Sequence, residues 1–176
     1  MLAKTDSRSS STRNSVPPDP NELLRRADET AADSGATETN LRRAVSDTYY
    51  ALFHFTLQAA ADKVVGAASS SSAIYELVYR SIDHKAFAAL CKTISTQPTK
   101  VIGLPASGLG EVGDYAGIVA SLYEQRILAD YSTVCPYTAT QVQLHISNAR
   151  QAISWFQAAS SERRECFLIN LLFKAR

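Results

Sequence analysis

Residues 39–65 form a long stretch in which apolar side chains recur at steps of three and four. This spacing places them on one face of an α-helix, because a helix turns once every ~3.6 residues. An apolar face of this length must be covered by other elements, so the stretch predicts a helix packed in a bundle. Its apolar positions are Leu41, Ala44, Val45, Thr48, Leu52, Phe55 and Ala59.

Four further segments carry helical patterns, and none shows the alternation typical of a β-strand. Asp19 and Pro20 resemble an N-cap followed by proline at the first helical position. Two prolines and four glycines predict a long loop over residues 97–113. The predicted helices are residues 19–34, 39–65, 72–95, 114–133 and 138–173, the last with a kink at 159–161. We therefore predict an all-α protein, an up-and-down bundle of four to five helices.

The length of 176 residues suits one domain with a tail. Residues 1–18 are rich in Ser, Arg and Thr and end in two prolines, so we predict a flexible N-terminal tail. A single helical domain then covers residues 19–176. The formal net charge of +1 excludes a protein that coats DNA by bulk charge, although a local basic patch remains compatible with it.

The cysteine pattern and the length of the apolar segments indicate the cellular compartment of the protein. Three cysteines, an odd number without a CxxC pair, argue against a disulfide framework and a zinc knuckle. No stretch resembles a signal peptide or reaches the ~20 apolar residues that span a bilayer. We expect a cytoplasmic protein without membrane contact. The roles of Cys91, Cys135 and Cys166 stay open, with buried packing as the default.

The common enzyme motifs are absent or out of context. Residues 108–113 match GxGxxG, but a dinucleotide site needs a preceding buried strand, so we interpret them as a plain loop. A looser alternative is an anion at the start of the helix that follows. His54, His84 and His145 form no Glu-x-x-His or His-x3-His pair, and there is no GxSxG motif or P-loop. We predict no metal site and no cofactor.

A polar stripe runs along the second predicted helix. Arg43, Asp47, Tyr50 and His54 fall within an arc of roughly 60°, opposite the centre of the apolar face. Arg43 and Asp47 have the spacing of an ion pair. One interpretation is a second interface or a cleft, since the stripe ends in aromatic and imidazole groups. The other is a partly covered surface stripe that only supports the helix.

A similar set lies on the fourth predicted helix, where Arg126, Asp130 and Thr133 share one face. A guanidinium held near a carboxylate and a hydroxyl suits a phosphate or a partner's carboxylate. The alternative is an ordinary intrahelical Arg–Asp pair. The candidate ligand-binding residues are Arg43, Asp47, Tyr50, Arg126, Asp130 and Tyr131.

Taken together, these segments resemble the HEPN superfamily. The stretch Arg43-Ala-Val-Ser-Asp47-Thr-Tyr49-Tyr50-Ala-Leu-Phe53-His54 is similar to its R-x-x-S-x-x-Y-Y-A-x-F-H helix, and Arg126-Ile-Leu-Ala-Asp130-Tyr131 is similar to its later R-x-x-A-D-Y helix. Asp83-His84-Lys85 resembles the His-Lys segment between them. The resemblance covers about residues 20–158.

The resemblance implies a HEPN-like four- or five-helix bundle that commonly dimerises. Many such proteins are RNases, often toxins paired with a nucleotidyltransferase-like antitoxin, and their site is an Arg followed by four to six residues and a His. Here Arg126 matches the Arg, but Thr133 stands where a Tyr-x-His form would place the His, and the next histidine is His145. Threonine cannot carry a proton near neutral pH, so the motif is incomplete.

The leading hypothesis is a HEPN-like domain that binds RNA, a nucleotide or a protein partner in a polar cleft between the second and fourth predicted helices, without catalysis. In it Asp47 and Asp130 hold the guanidinium groups, and Tyr50 can stack on a base. One alternative is a metal-independent RNase whose catalytic residues are Arg126 with His54 or His84. The other alternative is a structural adaptor in which the stripe is a homodimer seam.

Overall fold

The computed structural model describes residues 17–173, and every regular element in this range is helical. It contains seven α-helices: α1 (Pro20–Ala32), α2 (Glu38–Val64), α3 (Ala73–Tyr79), α4 (His84–Thr96), α5 (Glu111–Tyr131), α6 (Ala139–Ala158) and α7 (Ser161–Leu172). Short 3-10 turns occur at Ala67–Ser69 and Pro98–Lys100. The prediction of an all-α helical bundle is confirmed.

The predicted number of four to five helices is wrong, because two predicted segments are each divided. The segment 72–95 is interrupted after Tyr79, and α4 starts where the side chain of Asp83 accepts a hydrogen bond from the amide of Ala86 at 2.7 Å. The segment 138–173 is divided where Ser160 caps α7. The apolar spacing continues across both breaks, so it predicts one helix in each segment. The side-chain caps nevertheless start a new helix at each break.

Helix α2 is the central element, and it contacts α1, α3, α5, α6 and α7. Thr37 and Asn40 form a capping box at its start. Because helices pack on several sides of α2, residues outside its predicted apolar face are buried as well. Tyr49 and the polar Ser46 are examples. The stripe on its other side is therefore not fully solvated.

The loop before α5 ends at Gly110, whose φ of 47° favours glycine. Helix α5 begins at Glu111, three residues before the predicted start at Asp114. Arg163 of α7 donates from Nε to the carbonyl of Gly108 at 3.2 Å and pairs with Glu111 at 2.5 Å. The glycine-rich loop thus packs against Arg163, and the first turn of α5 already contains a carboxylate, that of Glu111.

The predicted tail, residues 1–18, lies outside the described residues apart from Pro17 and Pro18. The three cysteines are free thiols; Cys91 and Cys166 are buried and Cys135 is half-buried. Burial raises the pKa of the Cys91 thiol well above its ordinary value. Within residues 17–173, no helix is long and apolar enough to cross a membrane.

Candidate functional site

Arg126 of α5 contacts the side chains of Tyr50 and Asp130, and Asp130 is held in turn by Ser46. Its Nη2 donates to the hydroxyl of Tyr50 at 3.0 Å, and its Nε lies 2.8 Å from Oδ2 of Asp130. The other carboxylate oxygen of Asp130 accepts a hydrogen bond from Ser46 Oγ at 2.6 Å. Because the side chain of Arg126 is only 16 % exposed, these contacts fix where its charge lies.

The contact between Arg126 and Asp130 is an ion pair without an aligned hydrogen bond. Nε of Arg126 is the one buried side-chain nitrogen or oxygen within residues 17–173 that lacks a hydrogen-bond partner, although the Asp130 oxygen is close. The distance decides the electrostatic attraction, whereas a hydrogen bond also needs the N–H to point at the oxygen. The predicted proximity of these two charges is therefore present in the structure.

Two tyrosine rings flank the guanidinium. The Cζ atom of Arg126 lies 5.6 Å from the ring centroid of Tyr50 and 5.9 Å from that of Tyr131. Both distances are within the range of cation–π attraction. Tyr131 is 71 % exposed, so its ring also offers a free face to a ligand.

His84 is the first residue of α4 and packs against aromatic side chains of α2. Its ring is stacked on Phe53 with a centroid distance of 3.8 Å, and it meets Tyr50 edge-on at 5.3 Å. Nδ1 lies 3.2 Å from the hydroxyl of Tyr49. Burial lowers the pKa of His84, and the positive charge of Arg126 lowers it further. His84 is therefore mainly neutral at neutral pH.

His54 lies on α2, one helical turn after Tyr50. Its Nδ1 is 2.6 Å from the hydroxyl of Tyr79, and its ring is stacked on that of Tyr50 at a centroid distance of 6.1 Å. Burial, followed by the nearby His84, lowers the pKa of His54. The two histidines and Arg126 are thus joined through Tyr50, although His54 contacts neither Arg126 nor the cavity described next.

An open cavity of about 960 Å³ lies between α4 and α5, and we call it the α4–α5 cleft. Its polar wall carries His84 and Lys85 from α4 opposite Arg126 from α5. Lys85 is exposed and pairs with no carboxylate of the described residues. The remaining lining residues are Asp83, Ala86, Ala89, Leu90, Thr93, Tyr123, Ile127, Tyr131, Asn170 and Leu171. The lining thus combines cationic groups, the carboxylate of Asp83 and apolar side chains.

The sequence predicted a cleft between α2 and α5, whereas the cavity described here lies between α4 and α5. Of the predicted site residues, its lining contains His84, Arg126 and Tyr131 and lacks Arg43, Asp47, Tyr50, His54 and Asp130. Asp47 pairs with Arg26 of α1 at 2.7 Å and not with Arg43, so the predicted pair between Arg43 and Asp47 is wrong. Arg43 is exposed and makes no ion pair within residues 17–173, and neither residue lines the α4–α5 cleft. Helix α1 crosses this part of α2 and supplies the competing guanidinium, which spacing along α2 alone does not reveal.

Sequence reasoning missed Arg42, which holds the C-terminal end of α5. Its Nη1 donates to the carbonyl oxygens of Ala129 at 3.0 Å and Ser132 at 2.7 Å, and its Nη2 donates to that of Cys135 at 2.8 Å. Ser46, which orients Asp130, was also missed. Arg42 also pairs with Glu38 four residues earlier. The partners on α5 and after it lie more than eighty positions away, so no local pattern marks these contacts.

No group of three or more His, Cys, Asp or Glu side chains is placed to hold a metal ion in the described part of the chain. No protein-family model matches the chain. No curated protein matches it. No solved structure matches it either. The geometry of the chain's own residues therefore carries the functional argument.

Proposed function

We propose that the protein is a HEPN-like binding protein that takes up the phosphate groups of RNA or of a nucleotide in the α4–α5 cleft, without catalysing a reaction. The observation that supports this is that Arg126, Lys85 and His84 line the same cavity. Arginine and lysine are the side chains that proteins use most for phosphate contacts, and both are cationic at neutral pH.

The internal contacts of Arg126 leave part of its guanidinium for a ligand. Asp130 faces Nε and Tyr50 accepts from Nη2, while Nη1 makes no hydrogen bond within residues 17–173. A guanidinium that is already ordered loses less side-chain entropy when it binds. The exposed ring of Tyr131, beside the same guanidinium, suits stacking with an unpaired base.

The lack of a histidine at the position that follows Arg126 in the expected motif supports binding without turnover. Thr133, at the position of the expected histidine, is exposed and has no group that titrates near neutral pH. Electrostatic stabilisation by Arg126 alone would leave the removal of the 2′-hydroxyl proton without a base. A cleft of this kind holds phosphate but does not cleave it efficiently.

Titrating a short fluorescein-labelled single-stranded RNA and following its anisotropy tests the proposal. We expect salt-dependent binding, with Lys85→Ala lowering the salt slope by about one unit. Arg126→Met should weaken binding by roughly tenfold or more, because charged hydrogen bonds contribute at least about 1.5 kcal/mol. Unlabelled AMP and ATP as competitors distinguish a nucleotide site from an RNA site.

Two substitutions away from the cleft serve as matched controls. Lys63→Ala removes a half-exposed lysine paired with Glu165, and Arg150→Met removes a half-exposed arginine paired with Asp28. Each changes the net charge as its cleft counterpart does, so bulk charge alone would affect both sets equally. Equal losses in controls and cleft variants, or no binding at low salt, would refute the proposal.

A metal-independent RNase is a second candidate, favoured because His84 and Arg126 line the same cavity. RNA incubated with the protein in the presence of a chelator should then be cleaved, and both His84→Gln and Arg126→Met should abolish the cleavage. His54 lies outside the cleft lining, so it is the weaker of the two predicted bases. Intact RNA after incubation with the wild-type protein would eliminate this candidate.

The HEPN resemblance also leads us to propose a homodimer, a nucleotidyltransferase-like partner and a cytoplasmic location. The three free thiols suit a reducing compartment. Light scattering on the purified protein measures the dimer. If His54→Ala dissociates it while the protein binds no RNA or nucleotide, the half-buried stripe is a structural seam and the adaptor hypothesis replaces binding.

A further inference from the structure

Two tyrosine hydroxyls contact the two histidines near Arg126, and both contacts use the same ring nitrogen. Tyr49 OH lies 3.2 Å from Nδ1 of His84, and Tyr79 OH lies 2.6 Å from Nδ1 of His54. We propose that Tyr49 and Tyr79 are positioning residues that hold both imidazoles as neutral Nε2–H tautomers. In this state His84 offers the α4–α5 cleft a hydrogen-bond donor and no proton acceptor.

The burial of Tyr49 decides which group donates. Tyr49 is 0 % exposed, and its hydroxyl makes no other hydrogen bond within residues 17–173. If Nδ1 of His84 carried the proton, the hydroxyl hydrogen would be buried without an acceptor, which is costly. The hydroxyl therefore donates and Nδ1 accepts. A neutral imidazole carries one proton, so that proton is on Nε2.

The surroundings of His84 keep the ring in this state. Phe53 stacks on one face and Tyr50 meets it edge-on, which holds the ring plane. Burial and the charge of Arg126 lower the pKa of His84, whereas Asp83 raises it. A second proton would have to enter at Nδ1, where the Tyr49 hydroxyl already stands. The neutral form is favoured on both counts.

His84 lines the cleft, and Nε2 is the ring nitrogen that the contact with Tyr49 leaves free. It makes no hydrogen bond with the described residues, and the only buried unpartnered side-chain nitrogen or oxygen among them is Nε of Arg126. Nε2 is therefore accessible to solvent. Tyr79 holds His54 in the same tautomer. Tyr79 is 9 % exposed, and within residues 17–173 its hydroxyl bonds only to the His54 ring.

The consequence for the cleft rests on the proposed function. Nε2–H of His84, Nη1 of Arg126 and Nζ of Lys85 are all donors, so the part of a ligand that binds them must present acceptors, as the oxygens of an ionised phosphate do. A general base needs a lone pair at the accessible nitrogen, and this tautomer has none there. The Nε2–H tautomer of His84 therefore favours phosphate binding over RNase chemistry in the same site.

Histidine-selective ¹⁵N labelling tests the tautomers without any ligand. Two-bond ¹H–¹⁵N correlation spectra at about pH 7.5, above the ordinary histidine pKa, distinguish Nε2–H from Nδ1–H rings. We expect Nε2–H for His84 and His54. Tyr49→Phe should mix the tautomers of His84 and leave His54 unchanged, and Tyr79→Phe should do the reverse. Each variant is the matched control for the other.

The outcomes are separable. An Nδ1–H ring at His84 in the wild-type protein, or no selective effect of Tyr49→Phe, overturns the inference even if RNA binds. If Tyr49→Phe does not fold, the wild-type spectrum still decides, because it needs no variant. Titration with inorganic phosphate should then shift the His84 Nε2 resonance. Nε2–H tautomers without any phosphate shift would overturn the proposed function and leave the positioning roles intact.

Discussion

Arg42 closes the C-terminal end of α5, and its replacement by methionine tests how strongly that end depends on one distant side chain. The guanidinium donates to the carbonyl oxygens of Ala129, Ser132 and Cys135 over distances of 2.7–3.0 Å. The last carbonyls of a helix have no partner within the helix. A cation at this end also offsets the negative pole of the helix dipole.

The size of the effect follows from these contacts. Hydrogen bonds to a charged group contribute about 1.5–3 kcal/mol each, but carbonyls at a helix end can be rehydrated when the donor is removed. The side chain of Arg42 is 21 % exposed, so water has access to part of the vacated site. We expect Arg42→Met to lower the free energy of unfolding by about 2–4 kcal/mol, less than the sum of separate bonds. At about 2–4 °C per kcal/mol, the melting temperature should fall by about 4–16 °C.

Urea denaturation followed by circular dichroism at 222 nm, the band that reports helix content, measures the loss. The neighbouring Arg43→Met is the matched control, because Arg43 is exposed and makes no ion pair within residues 17–173. It should change the free energy of unfolding by less than about 0.5 kcal/mol. Arg42→Lys keeps the charge without the fork and should fall between the two. Equal stabilities of Arg42→Met and Arg43→Met would refute the reasoning.

Three further outcomes follow from local geometry. Gly110→Ala should destabilise the fold more than Gly103→Ala, because a Cβ at residue 110 would lie 2.5 Å from Arg163 Nη1, whereas a Cβ at residue 103 would meet nothing within 4 Å. Thermal melting compares the two variants, and equal decreases in melting temperature would contradict the clash. The melting temperature should fall as the pH drops below about 6.5, because burial lowers the pKa of His54, His84 and His145 in the folded protein. Below that pH the unfolded chain binds more protons than the folded protein does. A melting temperature that stays constant between about pH 7.5 and 5.5 would contradict this. Cys91 should be the last thiol to react with a thiol reagent under native conditions, because burial raises its pKa and blocks access, and early modification found by mass spectrometry would contradict its burial.

The parts of the site that could be predicted from the sequence are those set by spacing along one helix. Arg126 and Asp130 are four residues apart on α5, and the structure pairs them. Arg43 and Asp47 have the same spacing, yet Arg26 of α1 takes the carboxylate. Helical spacing makes a pair available, but the neighbouring helix decides whether a better-placed partner competes for it.

The all-α class follows from the sequence alone, since apolar spacing near 3.6 residues and capping residues act through the local backbone. It did not determine the helix breaks after Tyr79 and before Ser161, where local caps compete with a continuing apolar pattern. Only the tertiary structure placed α4 beside α5 and so brought His84 and Lys85 opposite Arg126. Contacts between residues some forty positions apart depend on how whole helices pack, and side-chain packing carries no signature in the local sequence.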